Sequence, residues 1–140
     1  MKIAVVYWSC TGNTEAMAQA VTEGAQNAGA QVDTYTSAEF CEGIVGDYDT
    51  FAFGCPAMGA EELEEGEFDP MFTACEAALQ GRKLVLFGSY GWGDGEWMHS
   101  WEERCLNGGM TLAAESVMAN NTPDEAALEQ CRALGAALTA

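Results

Sequence analysis

Short apolar runs alternate along this chain with longer stretches of helical period. Ile3 to Tyr7 is a nearly continuous apolar run, the pattern of a strand buried on both faces. The polar segment Ser9–Thr14 follows. Met17, Ala20, Val21, Gly24, Ala25 and Ala28 then recur on one helical face, which predicts a helix from about Glu15 to Ala28, ended by Gly29. Gln31–Thr36 predicts a second strand and Thr50–Gly54 a third, before a helix from about Pro70 to Leu79. Lys83–Gly88 predicts a fourth strand. The Gly-rich segment Ser89–Gly95 leads from it into a helix carrying Trp97, Trp101 and Leu106. Thr111–Met118 predicts a fifth strand, and the last helix has a readable start, with Thr122 as N-cap, Pro123 in the first position and Glu125 closing a capping box.

Five strands alternating with helices make an α/β fold, a parallel sheet covered on both faces. Its 140 residues suit one domain over 1–140, and no repeat or linker interrupts them. Ligands in such folds bind outside the carboxyl ends of the strands. Function is therefore expected in the loops after strands one, three and four.

Charge narrows the partners. Twenty-two acids against five bases leave a net −17. Such a field repels nucleic acid and anionic membrane surfaces and attracts basic protein surfaces, though it also serves as a plain solubility device. No signal peptide or membrane-length apolar run is present, so a cytoplasmic location is expected. The six cysteines are widely spaced without a Cys-x-x-Cys pair, which points to free buried thiols rather than a metal or dithiol site.

Ser9-Cys10-Thr11-Gly12-Asn13-Thr14 joins a buried strand to a helix N-terminus, where unpaired N–H groups and the helix dipole favour an anion. Hydroxyls and an Asn amide add donors, although the same residue types also serve merely to cap a helix. From Ile3 to Gly81 there is no Lys or Arg. A nucleotide hydrolase loop needs a Lys to stabilise charge moving between phosphates, so this loop should hold a phosphate, not transfer one. Cys10-Thr11-Gly12-Asn13 is also similar to the start of the loop of small tyrosine phosphatases, but Ala16 stands where that chemistry needs an Arg.

After strand three comes Gly54-Cys55-Pro56-Ala57-Met58-Gly59-Ala60-Glu61-Glu62-Leu63, and after strand four Gly88-Ser89-Tyr90-Gly91-Trp92-Gly93-Asp94-Gly95-Glu96-Trp97. A Trp flanked by glycines on a loop gains little unless it stacks on something, whereas Trp97 and Trp101, four apart on a helix, read as core. Met58 suits a soft contact to an aromatic face. A phosphate cradle and two plates are what a monophosphorylated flat heterocycle requires.

In these three segments, Tyr7–Glu15, Ala57-Met58-Gly59 and Phe87–Gly95, the sequence resembles the flavodoxins, of the short-chain kind found in anaerobic bacteria. The likeness covers essentially the whole chain. It implies a doubly wound five-stranded parallel sheet in the order 2-1-3-4-5, with non-covalently bound flavin mononucleotide (FMN) as cofactor. It further implies a low-potential one-electron carrier, cycling between semiquinone and hydroquinone, with no substrate turnover of its own. By that resemblance Ser9, Thr11, Asn13, Thr14 and Ser89 hold the phosphate, with Cys10 and Gly12 in the same loop. Trp92 covers the outer ring face and Met58 the inner one, with Pro56, Ala57, Gly59 and Ala60 around it. Glu61 bonds the ring N3–H, and Tyr90, Gly91, Gly93, Asp94 and Gly95 form the other wall, Gly91 reaching the pyrimidine carbonyl. Asn121 braces the second loop. The Gly59–Ala60 peptide turns its carbonyl toward ring N5, a turn that Gly59 permits at positive φ.

Cys10 stands where the resembled proteins often carry Gly, and Ala60 where they often carry a more polar residue. The expected partners are redox enzymes with basic docking surfaces, of the kind otherwise served by ferredoxin, met by a monomer. Other readings are a flavodoxin-like NAD(P)H quinone reductase, for which bases are scarce, and a flavodoxin-like activator of ribonucleotide reductase. A receiver domain lacks its acids, because Ser9-Cys10 and Gly54-Cys55-Pro56 stand at those positions.

Overall fold

The structure, a computed structural model, describes residues 1–59 and 61–139. In chain order it comprises β1 (Lys2–Tyr7), α1 (Asn13–Asn27), β2 (Gln31–Thr36), α2 (Glu42–Val45), β3 (Thr50–Gly54) and α3 (Phe68–Leu79). There follow β4 (Lys83–Tyr90), α4 (Glu96–Asn107), β5 (Thr111–Leu112), β6 (Val117–Asn120) and α5 (Glu125–Ala137). All the named strands are parallel, in the order β2-β1-β3-β4-β5, with β6 also beside β4. That is the doubly wound order expected.

The alternation of side chains along β1 divides the interior in two. Ile3 and Val5 face α1 and α5, in a core of mostly small aliphatic residues. Ala4 and Val6 face the other way, into an aromatic core in which Phe53, Phe68, Phe72 and Trp101 meet largely edge to face. On the aliphatic side α1 and α5 touch backbone to backbone. A Cβ at Gly24 would lie 1.9 Å from the Arg132 carbonyl oxygen, and one at Gly135 would lie 2.0 Å from that of Val21.

Several elements differ from the periodicity. The predicted fifth strand, 111–118, is two strands. Between its paired ends β4 advances three residues, Leu84 to Phe87, while its neighbour advances five, Leu112 to Val117. Two extra residues cannot stay in the ladder, and the chain bulges out between β5 and β6. The last helix is capped by Asp124, not Thr122: its backbone is extended and its carboxylate accepts the Ala127 N–H at 2.8 Å. Pro123 therefore precedes the helix, and Glu125 begins it instead of closing a capping box. The short α2 has too few residues to show a period. Finally, Ala28 and Leu106 are exposed rather than packed, and β4 runs on to Tyr90.

All six cysteines are free, with Cys55, Cys75, Cys105 and Cys131 buried. Burial pushes the Cys75 thiol up to about 11, so it stays protonated near neutral pH. Among the described residues no helix is long and apolar enough to cross a membrane.

Candidate functional site

The loops after β1, β3 and β4 meet at the carboxyl edge of the sheet around a cavity of about 230 Å³. From the first loop it is lined by Ser9, Cys10, Thr11, Asn13 and Thr14, from the second by Pro56, Ala57 and Met58, and from the third by Ser89, Tyr90 and Gly91. Asn121, at the end of β6, completes it. Twelve of the residues singled out by sequence thus share one space.

The first loop is held by its own helix. Gly12 sits at φ 93° as the residue before α1. The Ser9 hydroxyl oxygen accepts the N–H groups of Gly12 at 3.2 Å and Glu15 at 3.3 Å, so its own proton remains to be donated. Thr14 and Ser89 are buried, their hydroxyl oxygens 3.1 Å apart, and the Ser89 N–H donates to Thr14 Oγ1 at 3.4 Å. One of their two hydroxyl protons makes that mutual bond, and the other remains to be donated. Tyr7 donates to Glu15 at 3.0 Å, and burial followed by this carboxylate holds the phenol above its ordinary value. Cys10 is exposed and is not in the left-handed region, since among described non-glycine residues only Glu61 and Asn121 have positive φ. Glycine is not needed there.

The second loop is held from farther away. Met58 and Glu62 exchange backbone hydrogen bonds at 2.8 and 2.9 Å, pinching off a tight turn in which Gly59 has φ 50° and Glu61 φ 55°. Ala60 lies outside the described residues, and with it the orientation of the Gly59–Ala60 peptide. Just beyond, the Glu64 carboxylate accepts three backbone N–H groups, from Gly66 and Glu67 at 2.7 Å and Phe68 at 2.9 Å. Burial pushes that carboxyl up, but the three bonds together outweigh it and hold Glu64 below its usual range. Glu64 and Asp69, which pairs with Arg104 at 2.9 Å, are therefore built into the fold rather than lying on a purely solvated acidic stretch.

One oxygen of Glu61 is buried without a hydrogen-bond partner. It lies against the third loop, where a Cβ at Gly93 would come within 2.2 Å of it. A side chain at Gly93 would push Glu61 away. Trp92 is 65% exposed, at the tip of the third loop outside the cavity lining, and Asp94 is exposed beside it. Trp97 and Trp101, by contrast, are core residues at 1% exposure, and Trp97 Nε1–H donates to the Cys55 carbonyl at 3.1 Å. Gly95 at φ 94° leads into α4.

Asn121 departs from expectation. Its N–H donates to the Tyr90 carbonyl at 2.7 Å, so it braces the third loop, not the second. Asn tolerates its φ of 58°, and that tolerance is the one sequence signal for it. Glu64 was missed as a loop organiser because it reads as one acid among many.

The donor set fits FMN. The first loop offers uncommitted hydroxyl protons and a helix N-terminus to a phosphate. Beside the ring side, in the turn after Met58, a buried Glu61 carboxylate oxygen lacks a partner, and an unpaired buried acceptor calls for an N–H donor.

Residues 5–135 match the family described as Flavodoxin. The chain is 43% identical to the flavodoxin of Megasphaera elsdenii over 135 residues, 96% of each chain. It is 42% identical to the flavodoxin of Clostridium beijerinckii over 122 residues, covering 87% of this chain and 88% of that one. The solution structure of two-electron reduced Megasphaera elsdenii flavodoxin superposes with a TM-score of 0.90 over 99% of both chains. The chain belongs to the flavodoxin family, FMN-binding electron carriers that act between redox enzymes without substrate turnover of their own.

Proposed function

We propose that the cavity at the carboxyl edge is the FMN site of this electron carrier and that residues 1–140 work as one FMN-binding unit. The observation that carries the reading is the convergence of three loops on that one cavity, with donors at its phosphate end; the orphaned Glu61 oxygen lies in the adjoining turn, against Gly93. Ser9, Thr11, Asn13, Thr14 and Ser89 hold the phosphate. Met58 lies under the ring and Trp92 over it, Glu61 accepts from the ring N3–H, and Gly91 reaches the pyrimidine carbonyl. When bound, FMN takes up and releases electrons singly. The residues fix its orientation, keep water from its inner face and leave the outer face to the exposed Trp92 for exchange with a partner.

The charge layout supports basic partners. Lys2 and Lys83 start β1 and β4, and so lie at the opposite edge of the sheet from the site. The site edge carries Glu15, Glu61, Glu62, Glu65, Glu67, Asp94 and Glu96. In this reading a basic redox enzyme docks on a cytoplasmic monomer, and electron-transfer rates should fall as salt shortens the Debye length from ~10 Å at 0.1 M to ~3 Å at 1 M. A flat rate across that range contradicts steering. The site itself is tested by the visible spectrum of the purified protein. Two oxidised-flavin bands are expected, and a colourless protein that FMN cannot reconstitute overturns the reading.

A further inference from the structure

We infer that Arg104 is a positioning residue for the ring-side loop, fixing segment 61–69 and so the carboxylate of Glu61, which the FMN-site reading, on which this assignment rests, places at the ring. Every nitrogen of its guanidinium is engaged on one side of α3. Nη1 donates to Asp69 at 2.9 Å, Nη2 to Glu76 at 2.6 Å and Thr73 at 2.9 Å, and Nε to Glu76 at 3.1 Å. The same group lies over the Phe72 ring, 5.1 Å from its centroid. These bonds cross from α4 to three successive turns of α3, reaching the first at Asp69.

From there a chain of contacts leads back to the site. The Asp69 N–H donates to the Glu64 carbonyl at 2.9 Å. The Glu64 carboxylate accepts the amides of Gly66, Glu67 and Phe68, and its own N–H meets Cys55 Sγ at 3.4 Å, at the exit of β3. Two residues earlier the Met58–Glu62 bridge closes the turn that carries Glu61. Arg104 and Glu61 also line one cavity of about 250 Å³ behind the ring-side loop, with Trp97 and Trp101 between them in the core. Electrostatics point the same way. Without Arg104, Asp69 loses its counter-charge while it lines one cavity with Glu61 and Glu62, and like charges repel there.

Arg132 is a built-in control. It too binds several carboxylates, of Glu23, Glu125 and Glu129, but it does so on α5, on the aliphatic side of the sheet. Arg104→Met and Arg132→Met remove the same charge and a similar set of ion pairs. Apoprotein of each is titrated with FMN and with riboflavin, and backbone hydrogen exchange is followed in the same apoproteins. Arg104→Met should weaken FMN and riboflavin by one common factor of roughly three- to tenfold, since residues acting without ligand contact typically alter affinity on that scale. It should also speed exchange at the Gly66, Glu67 and Phe68 amides. Arg132→Met should do neither. Arg104→Lys, which keeps the charge but not the fork, should behave as Arg104→Met. Wild-type affinity in a folded Arg104→Met protein, equal losses in Arg132→Met, or full rescue by Lys overturns the assignment. Failure of the wild type to bind FMN would instead sink the site reading, while the exchange result still reports on Arg104.

Discussion

The loop after β1 and the loop after β3 solve the same problem by opposite means. The first is stabilised locally: Ser9 turns back on Gly12 and Glu15, and α1 supplies the remaining order. The second has no helix at its tip. It depends on a backbone bridge at Met58, a carboxylate cap at Glu64, a thiol at Cys55 and an arginine from α4. A phosphate needs a fixed nest of donors. A ring whose electron count changes is met by the part of the site whose order comes from several weak, separable contacts.

The largest effects should separate fold from site. Trp101→Ala should cost the apoprotein about 3–5 kcal/mol of stability by denaturant unfolding, because the indole is fully buried among aromatic rings. Trp92→Ala should leave apoprotein stability nearly unchanged and weaken FMN several-fold, as expected for loss of a stacking partner worth about 0.5–1.5 kcal/mol. A Trp101→Ala protein of normal stability that loses FMN would show the plates to be wrongly assigned.

Gly93→Ala sharpens the contrast within the site. The added methyl meets Glu61, and φ 88° is strained for any side chain. Strain of about 1–3 kcal/mol should raise the FMN dissociation constant roughly tenfold or more, measured by fluorescence titration. Glu61→Gly in the same chain should relieve the clash without restoring the acceptor, so partial recovery is expected. No change in Gly93→Ala would mean the two loops do not need their close approach.

The smallest expected effect lies in the cap. Glu64→Ala should cost about 1 kcal/mol, the usual range for a lost helix cap. The Glu64 carboxyl is held below its ordinary value in the folded protein, so its contribution is fully present above the unfolded-state value. It disappears as pH falls through the lower folded value. The stability difference between wild type and Glu64→Ala should therefore shrink on acidification. A difference that is constant with pH would assign Glu64 no ionic role.

That same comparison explains what could be read in advance. The first four strands and the phosphate loop were legible, because local pattern alone places Ile3–Tyr7 before Ser9–Thr14 and a helix start, whereas the strand order came from the family resemblance. The break between β5 and β6 was not, since Ala113–Ser116 carries no Gly, Pro, Asn or Asp and the two-residue excess exists only against β4. The cap of α5 was misplaced because Thr122 and Asp124 are both good caps, and backbone geometry chooses between them. The roles of Glu64 and Arg104 were opaque, and Asn121 was given the wrong loop, for one shared reason: their partners lie in other elements or in backbone groups.

The most direct test of the central claim is titration of the apoprotein with FMN and with riboflavin under one condition. The two ligands share the ring and differ in the phosphate. FMN should bind far more tightly, because without the phosphate the donors of Ser9 and the Thr14–Ser89 pair face no acceptor. Equal affinities, or no binding of either, would contradict the account.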